Sequence, residues 1–104
     1  MKTFRTLDLA VEFYSRVEAL KLPRHLKDQI LRASSSISLN LAEGNGRFSF
    51  KDKKRLYQIA MGSLRETQTV LKLARVTDPS LIAEADRLGA CIYKLLMCKE
   101  PKNE

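Results

Sequence analysis

The most constraining feature of this chain is the spacing of apolar residues between Pro23 and Gly44. Leu26, Ile30, Ala33, Ile37 and Leu41 recur at steps of three or four. At about 100° per residue they share one face of a helix. A second, weaker stripe of Leu31, Ser35, Ser38, Leu39 and Ala42 lies roughly opposite. A helix with two such faces is either buried centrally or covered on one side by another subunit. The run "ASSSISLN" is unusual in a helix interior, because serine competes for backbone hydrogen bonds. Small side chains there let a neighbouring helix come close. A serine nucleophile would need a base nearby, and no motif supplies one.

Three breaks divide the rest of the chain. "LKLP" precedes the central helix, with Pro23 suited to its first turn. "EGNGR" follows it, where Gly44 or Gly46 can adopt the left-handed conformation that ends a helix. Asp78-Pro79 reads as a cap followed by proline at the first helical position. The expected helices are therefore 6–21, 24–44, 50–76 and 79–98, with a polar tail over 99–104. Thr6 is expected to cap the first, which carries Leu7, Ala10, Val11, Tyr14 and Val17 inward. Ser49-x-x-Asp52 opens the third, whose apolar side holds Leu56, Ile59, Ala60, Ser63, Thr67, Val70, Leu71 and Ala74. The fourth turns Leu81, Ala85, Leu88, Ile92, Leu95 and Leu96 inward. No strand-type alternation competes, so the reading is an all-α, up-down antiparallel four-helix bundle forming one domain over 1–104.

Charge is unevenly placed. The net +7 is concentrated in residues 47–76, where eight basic groups face two acidic ones. Lys51, Lys54, Arg55, Gln58, Arg65, Thr69 and Lys72 fall within an arc of roughly 100°, opposite the apolar stripe. A one-signed stripe of this kind suits phosphates, which set affinity and salt dependence but carry no sequence code. Arg47 flanks it. Gly62 sits in the middle of the stripe, where something approaching the backbone closely, a phosphate chain or a neighbouring subunit, would explain a glycine. Leu31, Ser35, Leu39 and Gly62 are thus the expected oligomer interface. Tyr14, Phe48, Phe50 and Tyr57 could stack bases or serve as core and hinge residues.

Signals for chemistry are sparse. Cys91 and Cys98 lie seven residues apart on a helical stretch, and the single histidine, His25, is remote from both, so no zinc-ligand pattern exists. Two reduced packing cysteines, an N-terminus without the apolar core of a signal peptide and no membrane-length apolar run suit a cytoplasmic location. No Glu-x-x-His is present, the motif that helical bundles use to hold metals between carboxylates. The expectation is a non-enzymatic protein without cofactor or metal. Glu43 and Glu66 read as members of a structural polar network with Gln29, Arg32 and Asn40 that sets helix register. "NLAEGNGRFS" is not a phosphate-binding loop, which requires Gly-x-x-x-x-Gly-Lys-Ser/Thr.

"DQILRASSSISLNLAEGNGR" followed by "QIAMGSLRET" resembles the four-helix-bundle proteins encoded in intervening sequences of bacterial 23S rRNA genes. These are related to the accessory variability determinant proteins of diversity-generating retroelements. The resemblance rests on Gln29, Arg32, Ala33, Ser36, Ile37, Asn40, Ala42, Glu43, Gly44, Gly46 and Arg47, then Ala60, Gly62, Ser63 and Glu66. It implies a ring-shaped homo-oligomer, often a pentamer, without known enzymatic activity. From the retroelement relatives it also implies nucleic-acid binding, RNA or DNA, and a reverse transcriptase partner. The link "ALKLPRHL" is shorter than is usual for the family. A protein-interaction module that binds no nucleic acid is the alternative.

Overall fold

A computed structural model describes residues 4–99. They form four helices, α1 (Arg5–Glu18), α2 (Arg24–Asn45), α3 (Phe50–Leu73) and α4 (Pro79–Met97), and no strand occurs among the described residues. The expected tail beyond Lys99 lies outside them. α1 packs on α2 and α4, and α3 packs on the same two helices, most extensively on α2.

The serine-rich stretch of α2 is what allows that close α2–α3 packing. The Ser36 and Ser63 hydroxyls share a 2.8 Å hydrogen bond between the helices. Arg32 Nη2 stands 3.8 Å from Glu66 Oε2, and Gly44 lies against Tyr57 and Leu56. Partner numbers on α3 fall as those on α2 rise. Ser34 is fully buried, and its hydroxyl donates to the carbonyl of Ile30 at 2.7 Å, so burial leaves it paired. Thr67 is equally buried and donates to the Ser63 carbonyl at 2.8 Å.

The core is built on Phe13, Val17, Ile30, Ile37, Leu41, Leu64, Leu81, Leu88 and Ile92. Two of these, Phe13 and Leu64, were absent from the expected stripes, and two expected members lie outside. Val11 is 51% exposed and Ile59 41%. On α1 the buried face is Thr6, Ala10, Phe13 and Val17. Val11 points about 100° or more away from its centre on a helical wheel. Ile59 falls just past the edge of the face made by Leu56, Tyr57, Ala60, Leu64, Thr67, Val70 and Leu71.

The helix ends also differ in detail. Thr6 is buried inside α1 and does not cap it; Phe4 holds the N-cap position without a side-chain bond. The Lys27 ammonium covers the end of α1, donating to Glu18 O at 2.6 Å and, just beyond the helix, to Leu20 O. Lys53 does the same for α2, donating to Asn45 O at 3.1 Å and Gly44 O at 3.4 Å. Ser49 caps α3 by accepting from Asp52 N at 3.3 Å, and Asp78 caps α4 by accepting from Ser80 N at 3.0 Å. Neither Gly44 nor Gly46 is left-handed. Among the described residues the one with positive φ is Arg75, at 58°. There Arg75 N donates to Lys72 O and Val76 N to Leu71 O, a Schellman closure that ends α3 at Leu73 instead of Val76.

Candidate nucleic-acid interface

α3 carries its apolar residues on the side turned to α2 and α4, which leaves the opposite side to water. Lys51, Arg55, Gln58, Gly62, Arg65, Thr69 and Lys72 are all exposed there, and Lys54 is half-buried at the margin. Among the described residues Lys51, Lys54, Arg55, Arg65 and Lys72 form no ion pair. From Lys51 to Lys72 the helix rises roughly 31 Å. Lys54 holds its ammonium 5.8 Å from the centre of the Phe50 ring. Around Gly62 there is open space, with nothing within 4 Å of where a Cβ would stand.

Arg47 is tied more locally. It pairs with Glu43 one turn back, and the hydrogen bond to that carboxylate, with its charge, holds the guanidinium above its ordinary pKa. The pair is a surface one, so Glu43 offsets part of Arg47's charge. Phe48 beside it is completely exposed, at 104%. Tyr57 is buried, which pushes its phenol up from the usual tyrosine value, with a smaller contribution from Cys98. Its ring is tilted at 45° to that of Phe4, centres 6.3 Å apart, so it belongs to the packing and not to the surface.

The five residues of the expected polar network fall into separate pieces. Arg32 and Glu66 approach at the surface. Asn40 turns back to Ser36, donating to its carbonyl at 2.9 Å and its hydroxyl at 3.1 Å. Glu43 goes to Arg47, while Gln29 is exposed. The side-chain pair that does join α2 to α3 by a hydrogen bond is Ser36–Ser63, which composition hid because a hydroxyl pair has no charge pattern. Glu43 and His25 sit near opposite ends of α2, about 27 Å apart by helical rise. Among the described residues no cluster of three or more His, Cys, Asp or Glu side chains could hold a metal ion. No helix among the described residues is long and apolar enough to cross a membrane.

Of the expected interface residues, Leu39 is 68% exposed, Ser35 half-buried, and Leu31 partly packed on the core. Leu39 and Ser35 join Val11, Tyr14 and Ser38 in a shallow apolar depression between α1 and α2. The Ser38 hydroxyl there is buried without a hydrogen-bond partner. On the other side of the molecule a cleft of about 420 Å³ opens between α3 and α4. Arg65 and Lys72 stand on its α3 side, Ile82 and Asp86 on its α4 side. Arg65 donates to Gln68 Oε1 at 2.8 Å, and Gln68 Nε2 donates to Asp86 Oδ1 at 3.3 Å. Nothing local in sequence joins Gln68 to Asp86, eighteen residues on. Across α1 and α4, Arg16 donates to Glu84 at 2.7 Å, Ser80 at 3.1 Å and Asp78 at 3.4 Å.

Residues 4–97 match the family model described as 23S rRNA-intervening sequence protein. No curated protein matches the chain. Among solved structures, a crystal structure of a protein with unknown function from the S23 ribosomal protein family, from Bacteroides thetaiotaomicron, is similar. The TM-score is 0.76 at 21% identity, over 89% of this chain and 99% of that one. At that identity the likeness concerns the fold.

Proposed function

The chain belongs to the 23S rRNA-intervening sequence protein family, and from that premise we propose a non-enzymatic, cytoplasmic scaffold that binds the phosphate backbone of RNA or DNA along α3. One observation carries this reading: Lys51, Lys54, Arg55, Arg65 and Lys72 line one side of a single helix without an acidic partner. Uncompensated cations in a row repel one another and cost stability in the free protein, a cost that a polyanion reverses. Arg47 and the exposed ring of Phe48 extend the face past the start of the helix, where an aromatic can stack on a base.

The proposal includes an up-down antiparallel bundle, supported by the falling order of α3 partners along α2 and by the Arg16 cluster. That cluster ties the last turn of α1 to the first of α4. It also includes a ring of copies, a pentamer in its narrowest form. The exposed Val11–Leu39 depression supports self-association, since apolar surface beside a partnerless hydroxyl gains from being covered. A reverse transcriptase partner rests on the resemblance alone, and co-purification with such an enzyme tests it. Titration of labelled RNA and DNA at low and raised salt tests the main reading. Tight binding that weakens steeply with salt, and is lost when the five cations are replaced by alanine, is expected. Equal binding by that variant, or none by the native protein at low salt, leaves the protein-interaction alternative.

A further inference from the structure

We propose that the α3–α4 cleft receives an unpaired base of a single-stranded nucleic acid whose neighbouring phosphates lie on Arg65 and Lys72. This rests on the phosphate-binding reading of α3 and specifies the form of nucleic acid that face takes.

The cleft has two chemistries in two places. Its α3 wall carries Arg65 and Lys72, seven residues and two turns apart, about 10 Å along the helix. The apolar lining is Leu71 on α3, Val76 just beyond it, and Ile82 and Ala85 on α4, and Ile82 is 42% exposed to whatever enters. The remaining polar groups are Thr69, whose hydroxyl donates to the Arg65 carbonyl at 2.9 Å, and the Gln68–Asp86 pair. Asp86 Oδ2 has no protein donor among the described residues, whereas Oδ1 accepts from Gln68. An anion in that position repels a phosphate from the interior of the cleft and accepts from a neutral N–H group. A phosphate therefore stays on the α3 wall, and the group that fits inside is flat, largely apolar, and edged with N–H donors. A nucleobase has that description.

A duplex cannot use this cleft. Its bases are stacked and paired, and it presents phosphates outward, so it would lie across Arg65 and Lys72 and leave Ile82 uncovered. A single strand loses only stacking on turning one base out, and gains apolar contact plus one hydrogen bond. The cations belong to the same line as Lys51 and Arg55, so the strand that fills the cleft continues along the helix. Arg65 keeps N–H groups free after its bond to Gln68, since a guanidinium has five.

Four probes of equal length test this by fluorescence anisotropy on the full chain: a single-stranded oligodeoxynucleotide, its duplex, the same strand with abasic sites throughout, and linear polyphosphate. The single strand is expected to bind about tenfold tighter than the abasic strand or the duplex. Ile82→Ala is expected to remove that gap while leaving abasic binding unchanged, which also reports that the variant is folded. Ile82→Leu restores the gap. Lys72→Ala weakens all four probes together. Equal binding of the single and abasic strands, with both salt-sensitive, overturns the base cleft and leaves the phosphate reading standing. A preference for duplex does the same. Absence of binding to every probe at low salt ends both.

Discussion

At Gly44 an added Cβ would stand 2.7 Å from Cε1 of Tyr57 and 3.3 Å from Cβ of Leu56. The ring is buried and held against Phe4, so it has little room to yield. Gly44→Ala is expected to destabilise the protein by about 1–3 kcal/mol, as overpacking does. Gly46→Ala, whose nearest neighbour would be a carbonyl at 3.6 Å, is expected to change the urea midpoint little. The two glycines look alike in sequence; only packing separates them. Arg75 shows the converse, an L-residue with a side chain at φ 58°, where glycine is the comfortable choice. Arg75→Gly is expected to raise unfolding free energy by about 1 kcal/mol in the same assay. Smaller or negative change would mean the arginine side chain compensates through contacts of its own.

The elements are joined at their ends by recurring chemistry. Lysines from the early turns of α2 and α3 cover the last carbonyls of α1 and α2, and Arg16 binds the acidic start of α4. Each places a cation where the helix dipole is negative or beside a carboxylate that caps the positive end. Between α2 and α3, packing also buries Tyr57, and burial raises its pKa. A raised pKa in the folded state means the neutral phenol is favoured there. That contribution is fully present below the unfolded value near 10 and declines as pH rises through the folded one. Tyr57→Phe is therefore expected to lose less stability than the native protein as pH rises above about 10, measured by denaturant midpoint. Parallel curves for the two proteins would show that the phenol does not ionise in that window.

The whole molecule, 53 Å long and 24 Å by 23 Å across, displays the basic row along one helix. If five cations contact phosphates, the affinity for duplex falls with salt at a log–log slope of about −4.5, and for single strands about −3.5. Each single replacement, Lys51→Ala or Arg55→Ala for example, should reduce the slope by about 0.7 to 0.9. An unchanged slope would remove that residue from the interface. Gly62 allows a separate test of assembly. With open space around it, Gly62→Ala should stabilise the isolated helix by about 0.5–1 kcal/mol. If a second copy or a phosphate chain approaches that backbone, the same variant should lower the mass seen by light scattering or weaken nucleic-acid binding. Stabilisation with neither loss would make the glycine incidental.

Spacing alone made four helices, two of their caps and the one-signed row on α3 legible, because each depends on neighbours within a turn. Ser49 and Asp78 bond only two or three residues ahead, and a helical wheel needs no partner to place Lys51 beside Arg55. Which apolar residues enter the core was legible only in part. Val11 and Phe13 are equally able to be buried, and the positions of α2 and α4 selected Phe13. The same long-range choice set Ser36 on Ser63 and joined Gln68 to Asp86 beside the α3–α4 cleft. Such pairs join residues that chain order does not relate, and helix packing alone decides whether they meet.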